Sequence, residues 1–201
     1  MKQKDLRYER KIYYPYSSKY ELEYLVKSHL YGFKEIYYER QVNSLYFDSE
    51  EYCSFRDNAD GNPNRAKVRI RWYGDNITYN LNDSLEIKTK KGFIGYKIKE
   101  AIENMGDKKV GVCPNDLKPV LKVSYDRMYF SSFDKKFRFT IDSDVRYSNP
   151  DNSVEYKDSG CVLELKYNVE NEDTAYIITN KLTYRVGKHS KYARGILFLY
   201  G

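Results

Sequence analysis

The chain is poor in the residues that usually announce a thiol or metal centre. Its three cysteines, Cys53, Cys113 and Cys161, are far apart, odd in number, and form no C-x-x-C pair. That pattern argues against a disulfide framework or a zinc site and for reduced structural thiols. The two histidines, His29 and His189, lack metal-ligand spacing and are expected to be structural. No Ser-His-Asp set, P-loop or catalytic cysteine is evident. No segment approaches the roughly 20 apolar residues of a membrane-spanning helix. The opening MKQKDLRYERK lacks the apolar stretch of a signal peptide, so a cytoplasmic location is expected and a membrane role would need a partner protein. No linker, low-complexity tract or repeat interrupts residues 1–201, which points to a single domain.

What is present is tyrosine and positive charge. The 23 tyrosines lean toward strands, although genome base composition would produce the same excess. Thirty-five Lys and Arg against 29 Asp and Glu give a net charge of +6. That surplus suggests an anionic partner without naming one. Strands are predicted at Leu6–Tyr14, Gln41–Asp48, Ala66–Tyr73, Ser84–Lys90, Phe93–Lys99, Lys118–Phe130, Phe137–Val145 and Gly160–Tyr167. A turn is read at Lys91-Gly92, a loop around Pro114, and a hairpin across Ser131–Lys136. Helix is predicted from Lys19 to Tyr31, with Ser17 or Ser18 capping it and Leu22, Leu25, Val26 and Leu30 at helical spacing. Gly32 is read as its stop. A short helix is read near Glu100–Met105, and another at Asp173–Tyr184 with Asp173 as cap. Tyr192–Tyr200 fits helix or strand. Many strands joined by short turns indicate an antiparallel sheet or barrel.

Alternation along these strands separates charge from core, because successive side chains point to opposite faces. Lys67, Arg69 and Arg71 share one face of their strand, and Val68, Ile70 and Trp72 the other. Glu86, Lys88 and Lys90 align; so do Arg138, Thr140 and Asp142; so do Glu164 and Lys166; so do Arg7, Glu9 and Lys11. An open sheet would turn such faces to water. Yet these faces are mostly Arg and Lys with a minority of Glu, and merged into one sheet they would form a dense positive surface. Like charges across strands are destabilising, so the surface implies a bound anion. Phosphate suits it, because Arg offers a planar fork and Lys a point charge. The interspersed Glu residues suit Mg²⁺ or Mn²⁺.

The motifs Arg7-Tyr8-Glu9-Arg10-Lys11, Ser44-Leu45-Tyr46-Phe47-Asp48, Lys67-Val68-Arg69-Ile70-Arg71-Trp72-Tyr73 and Leu85-Glu86-Ile87-Lys88 occur in order. Tyr125-Asp126-Arg127, Phe137-Arg138-Phe139-Thr140-Ile141-Asp142, Leu163-Glu164-Leu165-Lys166-Tyr167 and His189-Ser190-Lys191-Tyr192 follow. This series resembles the triphosphate tunnel metalloenzyme (CYTH-like) superfamily, and within it the VTC polyphosphate polymerase domain. The resemblance implies an α+β fold: an eight-stranded antiparallel β-barrel, the triphosphate tunnel, with helices packed outside. It implies that Lys11, Arg69, Arg71, Lys88, Arg127 and Arg138 hold the phosphate chain where it reacts, joined by Lys191. Lys67, Lys90, Lys166, Lys188 and Ser190 would bind phosphate around them. Glu164 would be the main metal ligand for Mn²⁺ or Mg²⁺, with Glu9 or Glu86 assisting. Arg7 stands where the CYTH branch has its first Glu, which favours the polymerase-like branch.

Plainer readings exist for single residues. Arg127 has a lesser reading as a strand-end surface residue and Lys191 as helix surface. Asp142 and Asp144 suit turn or strand-end roles better than metal binding. Tyr46 and Tyr73 suit packing better than contact with a nucleotide base. The leading function is polyphosphate synthesis from ATP, with ATP and polyphosphate or triphosphate as partners and no nucleic acid. A triphosphatase would use the same residues with water as acceptor. A non-catalytic module binding polyphosphate or nucleic acid is the third reading.

Overall fold

The structure, a computed structural model, describes residues 7–76, 78–80, 83–91, 94–101 and 117–201. In chain order these form β1 (Arg7–Tyr14), α1 (Lys19–Lys27), β2 (Lys34–Asp48), α2 (Cys53–Ala59), β3 (Asn64–Tyr73), β4 (Ser84–Lys91) and β5 (Ile94–Ala101). Then come β6 (Lys118–Ser131), β7 (Phe137–Ser148), β8 (Glu155–Lys157), β9 (Cys161–Asn168), a 3-10 turn at Val169–Asn171, α3 (Glu172–Asn180) and α4 (Lys191–Tyr200). The strands follow the order β1-β9-β7-β6-β2-β3-β4-β5, with β8 beside β7. The fold is therefore mostly antiparallel sheet with a few helices. Among the described residues the pairing path ends at β1 and β5, and no pairing joins those ends.

The chain divides into two compact units. The first comprises Met1–Arg40, Tyr125–Val145 and Asp158–His189. Its core is the apolar face of four strands: Ile12 and Tyr14 of β1, Met128 and Phe130 of β6, Phe137, Phe139 and Ile141 of β7, and Leu163, Leu165 and Tyr167 of β9. Leu22 and Val26 of α1 and Ala175 and Ile178 of α3 cover that face. Each large apolar side chain so buried contributes about 1.5–3 kcal/mol. The opposite face is left for charge. Gly160 sits against the Tyr13 ring, where an added Cβ would come within 2.5 Å of it.

The second unit comprises Gln41–Ser124, Arg146–Lys157 and Ser190–Gly201. Phe47, Val68, Ile70, Trp72, Leu85 and Ile87 form a core on one face of β2, β3 and β4. Helix α4 presses Gly195 so closely on Leu121 and Tyr147 that a Cβ there would lie 2.6 Å from Leu121.

Several expectations are corrected. Helix α1 is capped by Ser18, in a reciprocal box with Glu21, but ends at Lys27 with Ser28 as its C-cap. Leu30 is consequently exposed. Strand β2 begins at Lys34, earlier than predicted, with its first residues exposed; β-branched and aromatic residues there favour extension without burial. Asp173 does not cap α3: Asn171 holds the N-cap position and makes no side-chain cap bond, and Asp173 lies in the first turn. Glu100 and Ala101 belong to β5. The rest of the helix read to Met105 lies outside the described residues, as do Leu6, Gly92, Phe93, Cys113 and Pro114. The Tyr192–Tyr200 ambiguity resolves to helix, because Ser190 accepts the Ala193 N–H as N-cap and Tyr192, Gly195 and Ile196 form the buried stripe. Helix α2 and strand β8 carry too few apolar residues to be read from periodicity.

Candidate functional site

In the first unit, register sets the charges in rows. Lys11, Glu164 and Thr140 lie side by side across β1, β9 and β7, and Glu9, Lys166 and Arg138 form the next row. The Glu164 carboxylate is buried, with Lys11 Nζ at 3.3 Å and Lys166 Nζ at 2.8 Å. Lys11 Nζ is also 3.7 Å from Glu9. Burial alone would push the Glu164 carboxyl up; Lys11, Lys166 and Arg127 overturn this and hold it well below the usual carboxylate range. Reciprocally, the Glu164 charge holds Lys11 protonated against its desolvation. Beside Glu164, the buried Thr140 hydroxyl has no hydrogen-bond partner among the described residues.

Arg127 is buried, not a surface residue. Its guanidinium grips the fully buried Asp142 in a two-pronged fork, with Nη2 donating to Oδ2 at 2.7 Å. Asp142 is thus a partner of Arg127. Asp144 adopts a positive φ of 52° in the middle of β7. Arg138 and Lys188 are exposed. Gly187, next to Lys188, donates its N–H to the Lys11 carbonyl at 2.8 Å. His189 stacks on Tyr13 at 5.1 Å, and His29 lies 3.3 Å from the Ile178 carbonyl, which are structural placements.

In the second unit, β3, β4 and β5 align Lys67, Lys88 and Lys97 in one row and Arg69, Glu86 and Lys99 in the next. Lys90 stands opposite Arg65 one step further along the face. The buried Glu86 is surrounded by cations. Arg69 donates through Nε at 3.0 Å and Nη2 at 2.8 Å to Oε2, and Arg71 lies 3.9 Å away. Lys97 donates to Oε1, and Lys99 stands 3.8 Å from it. Desolvation would raise the Glu86 carboxyl, but Arg69, Arg71 and Lys97 draw it down to about 2. Burial and the two arginines outweigh Glu86 at Lys97, lowering its ammonium to about 8. A metal at Glu86 would first have to displace these cations.

Ser44, Tyr46 and Asn58, to which sequence reasoning gave no site role, support this face together with Ser190. Ser44 and Tyr46 on β2 stand opposite Arg71 and Arg69. The Tyr46 hydroxyl accepts Arg69 Nη1 at 2.9 Å, and Ser44 Oγ lies 3.4 Å from Arg71 Nε. Asn58 Oδ1 and Ser190 Oγ accept the Lys67 ammonium at 2.7 and 2.8 Å. Lys97 and Lys99 lay in a segment read as a strand without an assigned face. Lys191 is half-buried at the start of α4. The buried Tyr46 ring packs on Tyr192 at 5.1 Å, as its packing role required; Tyr73 is exposed.

Among the described residues no group of three or more His, Cys, Asp or Glu gathers. No described helix is long and apolar enough to cross a membrane.

Known proteins carry the same organisation. A candidate adenylate cyclase from Vibrio parahaemolyticus superposes with a TM-score of 0.56 at 11% identity, over 97% of this chain and 99% of that one. A candidate adenylyl cyclase from Hippeastrum, described as having a dominant triphosphatase activity, superposes with a TM-score of 0.57 at 13% identity, over 95% of this chain and 96% of that one. At these identities the likeness concerns the fold alone. Vacuolar transporter chaperone complex subunit 4 of Trypanosoma cruzi is 28% identical across 80% of this chain, and the match spans 28% of that protein's length. The VTC domain family matches residues 6–110 and 109–200. With that match running along nearly the whole sequence, the chain belongs to the VTC domain family.

Proposed function

We propose that this protein is a metal-dependent polyphosphate polymerase, transferring the γ-phosphate of ATP to a growing polyphosphate chain and releasing ADP. The observation that carries the reading is the cation face of β3, β4 and β5, where Arg69, Arg71, Lys97 and Lys99 surround the Glu86 carboxylate and Lys67 and Lys88 stand in the adjoining row. Family membership supports it. The cations of this face would neutralise the phosphate oxygens, and enclosure of the phosphate chain in a tunnel belongs to the same proposal. A terminal oxygen of the chain attacks the γ-phosphorus, a P–O bond forms, the bond to the β-phosphate oxygen breaks, and ADP leaves. Such transfer needs positioning and charge stabilisation more than a covalent nucleophile.

The donors present would fit a hard divalent ion once it displaced Lys11 and Lys166 from Glu164. Glu164 is held ionised, Glu9 lies in the neighbouring row, and the Thr140 hydroxyl adds an oxygen beside it. Glu164 with Glu9 would hold Mn²⁺ or Mg²⁺, phosphate oxygens and water completing its shell. Bound there, the ion would supply charge neutralisation for the phosphates. Location in the cytoplasm, with a membrane protein receiving the product, is part of the proposal.

The test is incubation of the purified protein with ATP and Mn²⁺, with the products resolved by size. Long phosphate chains and ADP are expected. Orthophosphate without chains would replace the polymerase reading with a triphosphatase. Unchanged ATP with every metal would leave a binding module.

A further inference from the structure

The fully buried Asp48, at the end of β2, has no cationic partner among the described residues. It accepts four hydrogen bonds instead. Ser49 and Ser54 donate their N–H groups to Oδ1 at 2.8 and 2.9 Å. Phe55 donates its N–H to Oδ2 at 3.1 Å, and the Tyr192 phenol donates to the same oxygen. An unpaired buried carboxylate is costly even when hydrogen-bonded. This one ties together two elements: the start of α2, where Tyr52 takes a left-handed φ of 54°, and the first turn of α4.

Those two elements hold Lys67 between them. Asn58, on α2, and Ser190, at the cap of α4, accept its ammonium. The Tyr192 ring lies 5.7 Å beneath the same ammonium and packs on Tyr46, whose hydroxyl holds Arg69. A free lysine side chain would lose considerable rotamer freedom on gripping phosphate. Here that loss is taken on folding.

We infer that Asp48 and Tyr192 are a positioning pair: the carboxylate locks α2 and α4 so that Asn58, Ser190 and the Tyr192 ring hold Lys67 ready for phosphate. The inference rests on the phosphate-binding reading above and names residues that tune it without touching the ligand.

The experiment is a double-mutant cycle read by calorimetric binding of inorganic tripolyphosphate to the full chain at fixed salt. Tyr192→Phe keeps the ring and removes only the hydroxyl; it should weaken binding about tenfold. In a Lys67→Met background the same change should add less than about twofold, because the group being positioned is gone. Asn58→Ala, which leaves the Asp48 hydrogen bonds in place, should behave the same way, and it serves as the second probe if Tyr192→Phe does not fold. Equal losses in both backgrounds would mean general destabilisation and would overturn the pair. So would unchanged binding in Tyr192→Phe or Asn58→Ala. No binding of tripolyphosphate by the unaltered protein would overturn the phosphate reading itself, an outcome distinct from additive losses in a protein that binds.

Discussion

The polar faces of the two units use the same residue types on the same kind of antiparallel strands, yet their charge balance differs. In the first unit carboxylates and cations interleave: Glu164 lies between Lys11 and Lys166, Glu9 is near Lys11, and Asp142 is locked to Arg127. In the second, Glu86 stands among Arg69, Arg71, Lys97 and Lys99, with Lys67 and Lys88 in the adjoining row. A balanced face can keep a buried carboxylate ionised with little excess positive charge, which suits a site for a divalent cation. A face richer in cations than in carboxylates favours a bound anion. The difference gives the first face the carboxylates a divalent ion would need and the second face its excess of cations.

The largest expected effect tests whether the balance is structural. Arg127→Met would leave Asp142 buried and uncompensated, and should cost about 3–5 kcal/mol in chemical denaturation. Arg71→Met removes one of several cations sharing Glu86, from a face already in excess, and should cost at most about 1 kcal/mol. Equal losses would erase the distinction. Next in size is the division of labour. Glu164→Gln should lower turnover about 100-fold and abolish the metal dependence of tripolyphosphate binding. Glu86→Gln should leave that metal dependence intact and strengthen binding, because its cations lose their internal counter-ion. Metal dependence that follows Glu86 instead would reverse the comparison.

The alternation of charged and apolar residues made these faces legible in advance. Period-two spacing alone placed Lys67, Arg69 and Arg71 opposite Val68, Ile70 and Trp72, and Arg138 and Asp142 opposite Phe139 and Ile141. The helix α1 cap was legible as Ser17 or Ser18, and the reciprocal bond with Glu21 settles it on Ser18. What was not legible depends on pairing between distant segments. The row Arg69–Glu86–Lys99 is created by register, which no single strand specifies. The Arg127–Asp142 pair was not read in advance, because Asp142 lies fifteen positions away across a hairpin. Asp48 and Tyr192 are 144 positions apart. Their motifs were visible, but the bond between them, and with it the seat of Lys67, exists only in the folded chain. The early stop of α1 was missed because Leu30 continued the apolar spacing after the backbone had turned.

The smallest expected effect is a pH dependence confined to the second unit. Lys97 is held at about 8 by burial and by Arg69 and Arg71, against the pull of Glu86; Lys99 faces the same carboxylate, and Lys88 is its row neighbour. Because the folded-state value is depressed, the ammonium is lost as pH rises through about 8, whereas an unfolded lysine keeps it to about 10.4. A phosphate chain needs the charged form, so its binding should take up protons near that pH, and affinity should fall between pH 7 and 9. One unit charge several ångströms away in a largely aqueous setting amounts to about threefold. Tripolyphosphate titrates as well, so the informative quantity is the difference from Lys97→Arg, which stays charged throughout and cancels the ligand's own contribution. In the first unit Glu164 raises Lys11 instead, so Lys11→Arg should leave the slope unchanged. A slope that disappears in Lys11→Arg and persists in Lys97→Arg would move the titrating lysine to the balanced face, and the contrast between the two units would have to be redrawn.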